Sequence, residues 1–122
     1  MVRMALTGEL ETRVMELLWH FRVPVSVRVV HTELLTERDL AYTTVMTVLD
    51  RLAKKELVSR VRKGRQWLYS PAMSREDLVA EEVLKLLGAE SSVRRAALAE
   101  IVHRLSRADR WFLAQVLSRE AS

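Results

Sequence analysis

Between residues 50 and 65 the chain carries Arg51, Lys54, Lys55, Arg60, Arg62, Lys63 and Arg65 against only Asp50 and Glu56, seven cations to two acids. Cations at that density suit an anionic partner, either a phosphate backbone or an acidic membrane surface, although basic surfaces also occur as plain solvated faces. Just ahead of them, Thr43, Thr44 and Thr47 share one helical face with Arg51 and Lys54. Threonine offers a short hydroxyl that reaches base edges or phosphates and a methyl that meets the thymine methyl. Other chemistries are poorly provided for. Without cysteine there is no thiol nucleophile, thiolate metal site or disulfide. His20, His31 and His103 share no ligand spacing with carboxylates, so no metal and no cofactor is expected. No glycine-rich phosphate loop, nucleophile elbow or paired-carboxylate cleft is legible, which argues against an enzyme.

The 122 residues, 49% apolar and 30% charged, are enough for one core or a small domain plus an appendage. No apolar run approaches the ~20 residues of a transmembrane helix, and Met1 to Leu6 lack the apolar stretch of a secretory signal. The expectation is a soluble cytoplasmic protein without membrane insertion. Three glycines and two prolines among abundant Leu, Ala, Glu and Arg favour helix. The net charge of +4 is unevenly spread: residues 1–73 hold 12 basic and 8 acidic side chains, and 74–122 hold 8 of each.

These side chains need elements to position them. Leu10, Val14, Leu17, Leu18 and Phe21 predict a helix from Thr7, a plausible N-cap, to Phe21, with Glu9, Glu11, Arg13 and Glu16 elsewhere on the wheel. Pro24 stops it. Ser26 caps a second helix through Leu35, with Val29, Val30 and Leu34 as its apolar stripe. A third helix, Ala41 to Glu56, buries Val45, Leu49, Leu52 and Ala53 and has Asp39 or Thr43 as candidate caps. The period then changes to that of strands over 57–62 and 66–70, with Gly64 supplying a turn and Pro71 closing the second run. Three further helices follow. Ser74 opens the first and Gly88 ends it, Ser91 or Ser92 starts the next, and Ser106 starts the last.

Three helices and a basic-tipped hairpin are the order of a winged helix-turn-helix, so the fold expected is mostly α with a small β-hairpin, followed by a three-helix C-terminal dimerisation region. The division expected is a DNA-binding domain over 1–73 and a dimerisation region over 74–122. In this reading Thr43, Thr44 and Thr47 face the major groove of double-stranded DNA, and Arg51 and Lys54 reach phosphates. Arg62, Lys63 and Arg65 form the tip of the wing, and Arg28 joins a backbone N–H in holding a further phosphate. Trp19, Trp67 and Trp111 lie among apolar neighbours and read as core or interface anchors. Leu78, Val83, Leu86, Leu98, Ile101, Val102, Trp111, Phe112 and Val116 form apolar faces that a second copy of the chain would cover, since a two-fold interface needs one self-complementary patch. The competing class is a winged-helix protein-interaction module without sequence-specific DNA binding.

Gly8-Glu9-Leu10-Glu11 leading to Val14-Met15 and Leu18-Trp19, the run from Ala41 to Leu49 with Arg51-Leu52 and Lys54-Lys55, and Tyr69-Ser70-Pro71 together resemble the BlaI/MecI family of penicillinase repressors, actinobacterial members in particular. The resemblance implies a homodimeric repressor with an N-terminal winged helix on a dyad operator. It places Thr43, Thr44, Thr47 and Arg51 on the recognition helix and Lys63 and Arg65 on the wing. In staphylococcal members a membrane sensor-protease that detects β-lactam triggers cleavage at an Asn-Phe bond in the tail. Here the corresponding region, around Glu100 and Ile101, reads Ala99-Glu100-Ile101-Val102 and lacks that pair. The Cys-rich C-terminus of the related copper-responsive repressors is missing too.

Overall fold

A computed structural model of the chain describes residues 8–121. The elements run α1 (Glu9–Phe21), β1 (Val25–Ser26), α2 (Val27–Leu34), α3 (Tyr42–Lys54), β2 (Val58–Lys63), β3 (Gln66–Pro71), α4 (Arg75–Leu87), α5 (Ser91–Arg104) and α6 (Arg107–Glu120). They divide into two compact units, Met1–Glu82 and Val83–Ser122. The break falls inside α4, beyond the Met73–Ser74 boundary read from the sequence.

In the first unit, α1, α2 and α3 surround a core of Val14, Met15, Leu18, Val30, Leu34, Val45, Leu49 and Leu52, all essentially inaccessible to solvent. Two expected stripes shift in detail. On α2 the buried valines are Val27 and Val30, whereas Val29 is exposed, because the first turn packs from Val27 onward. On α3, Val48 is buried where Ala53 had been expected, and Ala53 packs at the margin. Gly8 occupies the N-cap position of α1. Thr7 lies outside the described residues. The Ser26 hydroxyl accepts from the Val29 N–H at 3.3 Å and caps α2 as expected.

At the start of α3 the cap position falls to Ala41, with no side-chain hydrogen bond, so neither Asp39 nor Thr43 serves. Its C-terminus closes with a pair of hydrogen bonds, Leu57 N–H to Leu52 O and Glu56 N–H to Ala53 O, both 3.0 Å. That is the Schellman pattern, and it places Glu56 at φ 63°, a conformation glycine would adopt more cheaply. Leu57, buried against the core, follows directly and starts the chain into β2.

The sheet has three strands, not two. β1 pairs antiparallel with β3 through Val25↔Tyr69 and Ser26↔Leu68, giving the order β1-β3-β2. β2 and β3 form the hairpin, in register from Val58↔Pro71 to Lys63↔Gln66. The intervening turn is Gly64-Arg65 with Gly64 at φ 63°, glycine leading as a type II′ hairpin turn requires.

The second unit consists of the end of α4 with α5 and α6. Ser106 caps α6 by accepting from Asp109 N–H at 3.1 Å, as its sequence suggests. The cap of α5 is Glu90 in place of Ser91 or Ser92, its carboxylate accepting from the Ser92 and Val93 N–H groups. Among the described residues no helix is long and apolar enough to cross a membrane.

Candidate nucleic-acid interface

α3 is seated by its buried face, and the loop that leads into it is pinned by charged and polar contacts. Arg13 Nε donates to the two Glu37 carboxylate oxygens at 2.8 and 3.0 Å, and Arg38 donates to Glu9 at 2.7 Å. The hydrogen bond to Glu37 raises the Arg13 pKa still further. His31 Nε2 lies 2.7 Å from the Leu40 carbonyl, and its ring meets Tyr42 edge-on with centroids 5.7 Å apart. These contacts tie the entry of α3 to α1 and α2, so the helix presents one defined face outward.

That face consists of Tyr42, Thr43, Thr44, Met46, Thr47, Arg51 and Lys54, all exposed. A groove runs along each side. One is lined by Thr44, Thr47, Val48 and Arg51 with Gly8 and the first residues of α1, Glu9 to Glu11, and the other by Met46, Thr47 and Asp50 with Arg60, Trp67 and Tyr69 of the hairpin. Thr47 lines both. Its hydroxyl donates to the Thr43 carbonyl at 2.9 Å, which leaves lone pairs and a methyl to face outward.

The seven cations divide by what holds them. Lys55 belongs to the architecture: its ammonium lies 2.8 Å from both oxygens of Glu11, a carboxylate only 4% exposed. Asp50 holds Lys54 at 3.0 Å and Arg60 at 3.5 Å. Arg62 donates to the Gly64 carbonyl at 3.4 Å across the hairpin tip. Arg51, Lys63 and Arg65 are exposed and, among the described residues, make no ion pair, and the same holds for Arg28 at the second position of α2. Thr43, Thr44, Thr47 and Arg51 thus share the outward face of one helix, and Arg62, Lys63 and Arg65 share one hairpin end.

Two expectations need correction. Trp67 is 36% exposed and is not a core anchor, because it sits on the hairpin beyond Tyr69, where the strands have left the core. Its ring instead carries Arg60 at 4.6 Å and Arg62 at 5.4 Å. Trp19 does pack on the core and donates to the Met73 carbonyl at 3.0 Å. Leu78, placed with the dimerisation residues, is 5% exposed and buried in the first unit, so its side chain is spent within the chain. Arg60, Asp50 and Trp67 were not singled out from sequence as site residues. Period-two alternation over 58–63 could have shown that Arg60 and Arg62 share a strand face.

In the second unit α5 and α6 contain no buried residue at all. Val83, Leu86, Leu98, Ile101, Val102, Trp111 and Phe112 are exposed, and Val116 is half-buried. Between α4 and α5 an apolar groove of about 200 Å³ is lined by Val83, Leu86, Leu87, Val93, Ala97 and Ile101.

Residues 7–119 match the family model described as penicillinase repressor. The transcriptional regulator BlaI of Mycobacterium tuberculosis is 46% identical over 107 residues, covering 86% of this chain and 78% of that protein. Among solved structures, the DNA-binding domain of the repressor BlaI superposes with a TM-score of 0.54 at 26% identity, over 63% of this chain and 93% of the other. The monomeric form of Bacillus licheniformis BlaI, solved in complex with the blaP half-operator, gives a TM-score of 0.51 at 26% identity over the same shares. With its winged helix-turn-helix and its exposed threonine and arginine face, the chain belongs to the penicillinase repressor family, a family of DNA-binding transcriptional repressors and not of enzymes.

Proposed function

We propose that the protein is a homodimeric repressor in which each winged helix occupies one half of a dyad operator and the second unit joins the two copies. The observation that carries the DNA reading is the outward face of α3, where Thr43, Thr44, Thr47 and Arg51 stand exposed between two grooves beside a cationic hairpin tip. In this arrangement the threonines read base edges, while Arg28, Arg51, Lys54, Arg62, Lys63 and Arg65 hold phosphates. Binding to a half-operator by the Bacillus licheniformis relative supports one winged helix per half-site. The functional division remains a DNA-binding part over 1–73 and a dimerising part beyond it, with Leu78 anchoring the start of α4 in the former.

Dimerisation is carried by the second unit's apolar surface: Val83, Leu86, Leu98, Ile101, Val102, Trp111, Phe112 and Val116 are hydrophobic, yet none is fully buried within one copy. Linking two half-site contacts multiplies affinity by the ratio of the effective concentration to the half-site dissociation constant, so parting the copies releases the operator. Glu100 and Ile101 are both exposed but lie within the last third of α5, so a membrane sensor-protease cutting there has to unwind that end of the helix first. Work on a promoter places the protein in the cytoplasm, without membrane insertion.

The test is a DNA-binding titration at several salt concentrations. The logarithm of the binding constant should fall linearly with the logarithm of salt, with a slope of about −0.9 per phosphate and ~6 to 10 phosphates per dimer. A flat dependence would overturn the DNA reading and favour the protein-interaction module.

A further inference from the structure

The groove between α3 and the hairpin contains a cationic assembly that the recognition face alone does not require. Val58, Arg60 and Arg62 alternate onto one face of β2, opposite Trp67 and Tyr69 of β3. At its base this face is buried through Val58 and Tyr69; towards the tip it emerges as Arg60, Trp67 and Arg62. Arg62 is the direct cross-strand partner of Trp67, and Arg60 is its diagonal neighbour. Both guanidinium carbons therefore come within 4.6 and 5.4 Å of the same ring centroid. A tryptophan ring attracts a cation through its quadrupole, but two cations at one ring repel each other unless an anion joins them. Asp50 supplies part of that, at 3.5 Å from Arg60, but it is shared with Lys54, and Arg62 reaches only a carbonyl. The groove, about 320 Å³, is walled on its other side by Met46 and Thr47 of the outward face of α3.

We propose that Arg60 is a further phosphate-binding residue and that Trp67 is a positioning residue, holding Arg60 and Arg62 over the groove so that both guanidiniums meet one DNA strand running between α3 and the hairpin. The proposal rests on the DNA reading above and adds to it the residue that aims the hairpin's cations. Free arginines sample many rotamers and lose that freedom on binding; arginines stacked on an indole have lost part of it beforehand. Asp50 restrains Arg60 from the helix side, so the hairpin and α3 are joined across the groove by an ion pair that a phosphate displaces or shares.

The experiment uses the full chain and a mixed-sequence DNA duplex, since phosphate contacts need no operator. Arg60→Gln should reduce the salt slope by about 0.9, the share of one phosphate. Trp67→Leu should weaken binding at low salt by about threefold to tenfold, whereas Trp67→Tyr, which keeps a ring for the guanidiniums, should stay within about twofold. In an Arg60→Gln/Arg62→Gln background, Trp67→Leu should have almost no further effect, an interaction that a purely structural tryptophan would not show. Thermal unfolding of each variant identifies any loss that reflects folding, and Trp67→Tyr then carries the comparison. An unchanged salt slope for Arg60→Gln, or an equal loss for Trp67→Leu in both backgrounds, overturns the proposal while wild-type binding stands. Salt-independent binding by the wild type overturns the DNA reading itself, and the proposal with it.

Discussion

Glu11 is buried in α1 although Glu9, two residues earlier, is exposed. Its spacing puts it on the core stripe with Val14, Met15 and Leu18, and the cost of desolvating a carboxylate there is offset by Lys55, 44 residues along the chain. The pattern alone could have placed Glu11 inward; its charge argued the other way, and no local feature announces the ammonium that settles the conflict. Lys55→Met leaves the carboxylate in place without that ammonium and should cost about 3 kcal/mol, read as a lower urea midpoint at unchanged slope. The double variant Glu11→Leu/Lys55→Met should recover most of the loss, and a Lys55→Met variant as stable as wild type would show that the pair contributes little. The same pair removes Lys55 from the cations available to DNA.

At the scale of elements, the six helices and the hairpin are legible because each rests on local signals: apolar positions at helical spacing, Ser26, Ser74 and Ser106 as caps, Gly64 in the turn. The two residues of β1 are not legible, since Val25-Ser26 becomes a strand only when β3 lies beside it. The cap of α5 was missed for a different reason. Glutamate is an uncommon N-cap, and two adjacent serines are the stronger sequence signal. Hydrogen bonds from the Ser92 hydroxyl, then from the Val93 and Ser92 N–H groups, lower the Glu90 pKa from 4.5. A carboxylate lowered on folding adds stability that is fully present above its ordinary pKa and is lost as pH falls through the folded value. The Ser92 and Val93 amide signals of the full chain, followed by NMR, should therefore titrate with a midpoint below 4.5. A midpoint at or above that value would mean that Glu90 does not cap α5 in solution.

For the whole molecule, the proposed dimer rests on the second unit's exposed apolar side chains. Trp111 and Phe112 are 66% and 62% exposed on α6, the kind of exposed apolar surface that marks an interaction site. In the proposed dimer, Phe112→Asp places a charge in the interface between copies and touches no core position of its own chain. Sedimentation should show a shift from dimer to monomer, with operator affinity falling by about 10²-fold or more and half-site affinity unchanged. A Phe112→Asp protein that stays dimeric would move the interface away from α6. Because Leu78 is part of the first unit's core, point variants of this kind test the second unit more cleanly than removing everything after Met73.

By itself the sequence determined the helices, the hairpin, the basic region and the threonine face, because each is written in residues close together and read by local periodicity, capping and charge. Tertiary structure alone decided which cations remain available. Lys55 is committed to Glu11, Asp50 on α3 restrains Arg60 of the hairpin, and Arg60 and Arg62 share Trp67, all through contacts across elements, whereas the Lys54–Asp50 pair is local to α3. It also moved Leu78 into a core and Trp67 out of one. Charge is a property of the residue, but its availability depends on what the fold brings within a few ångströms, and that is set by packing between segments far apart in the chain.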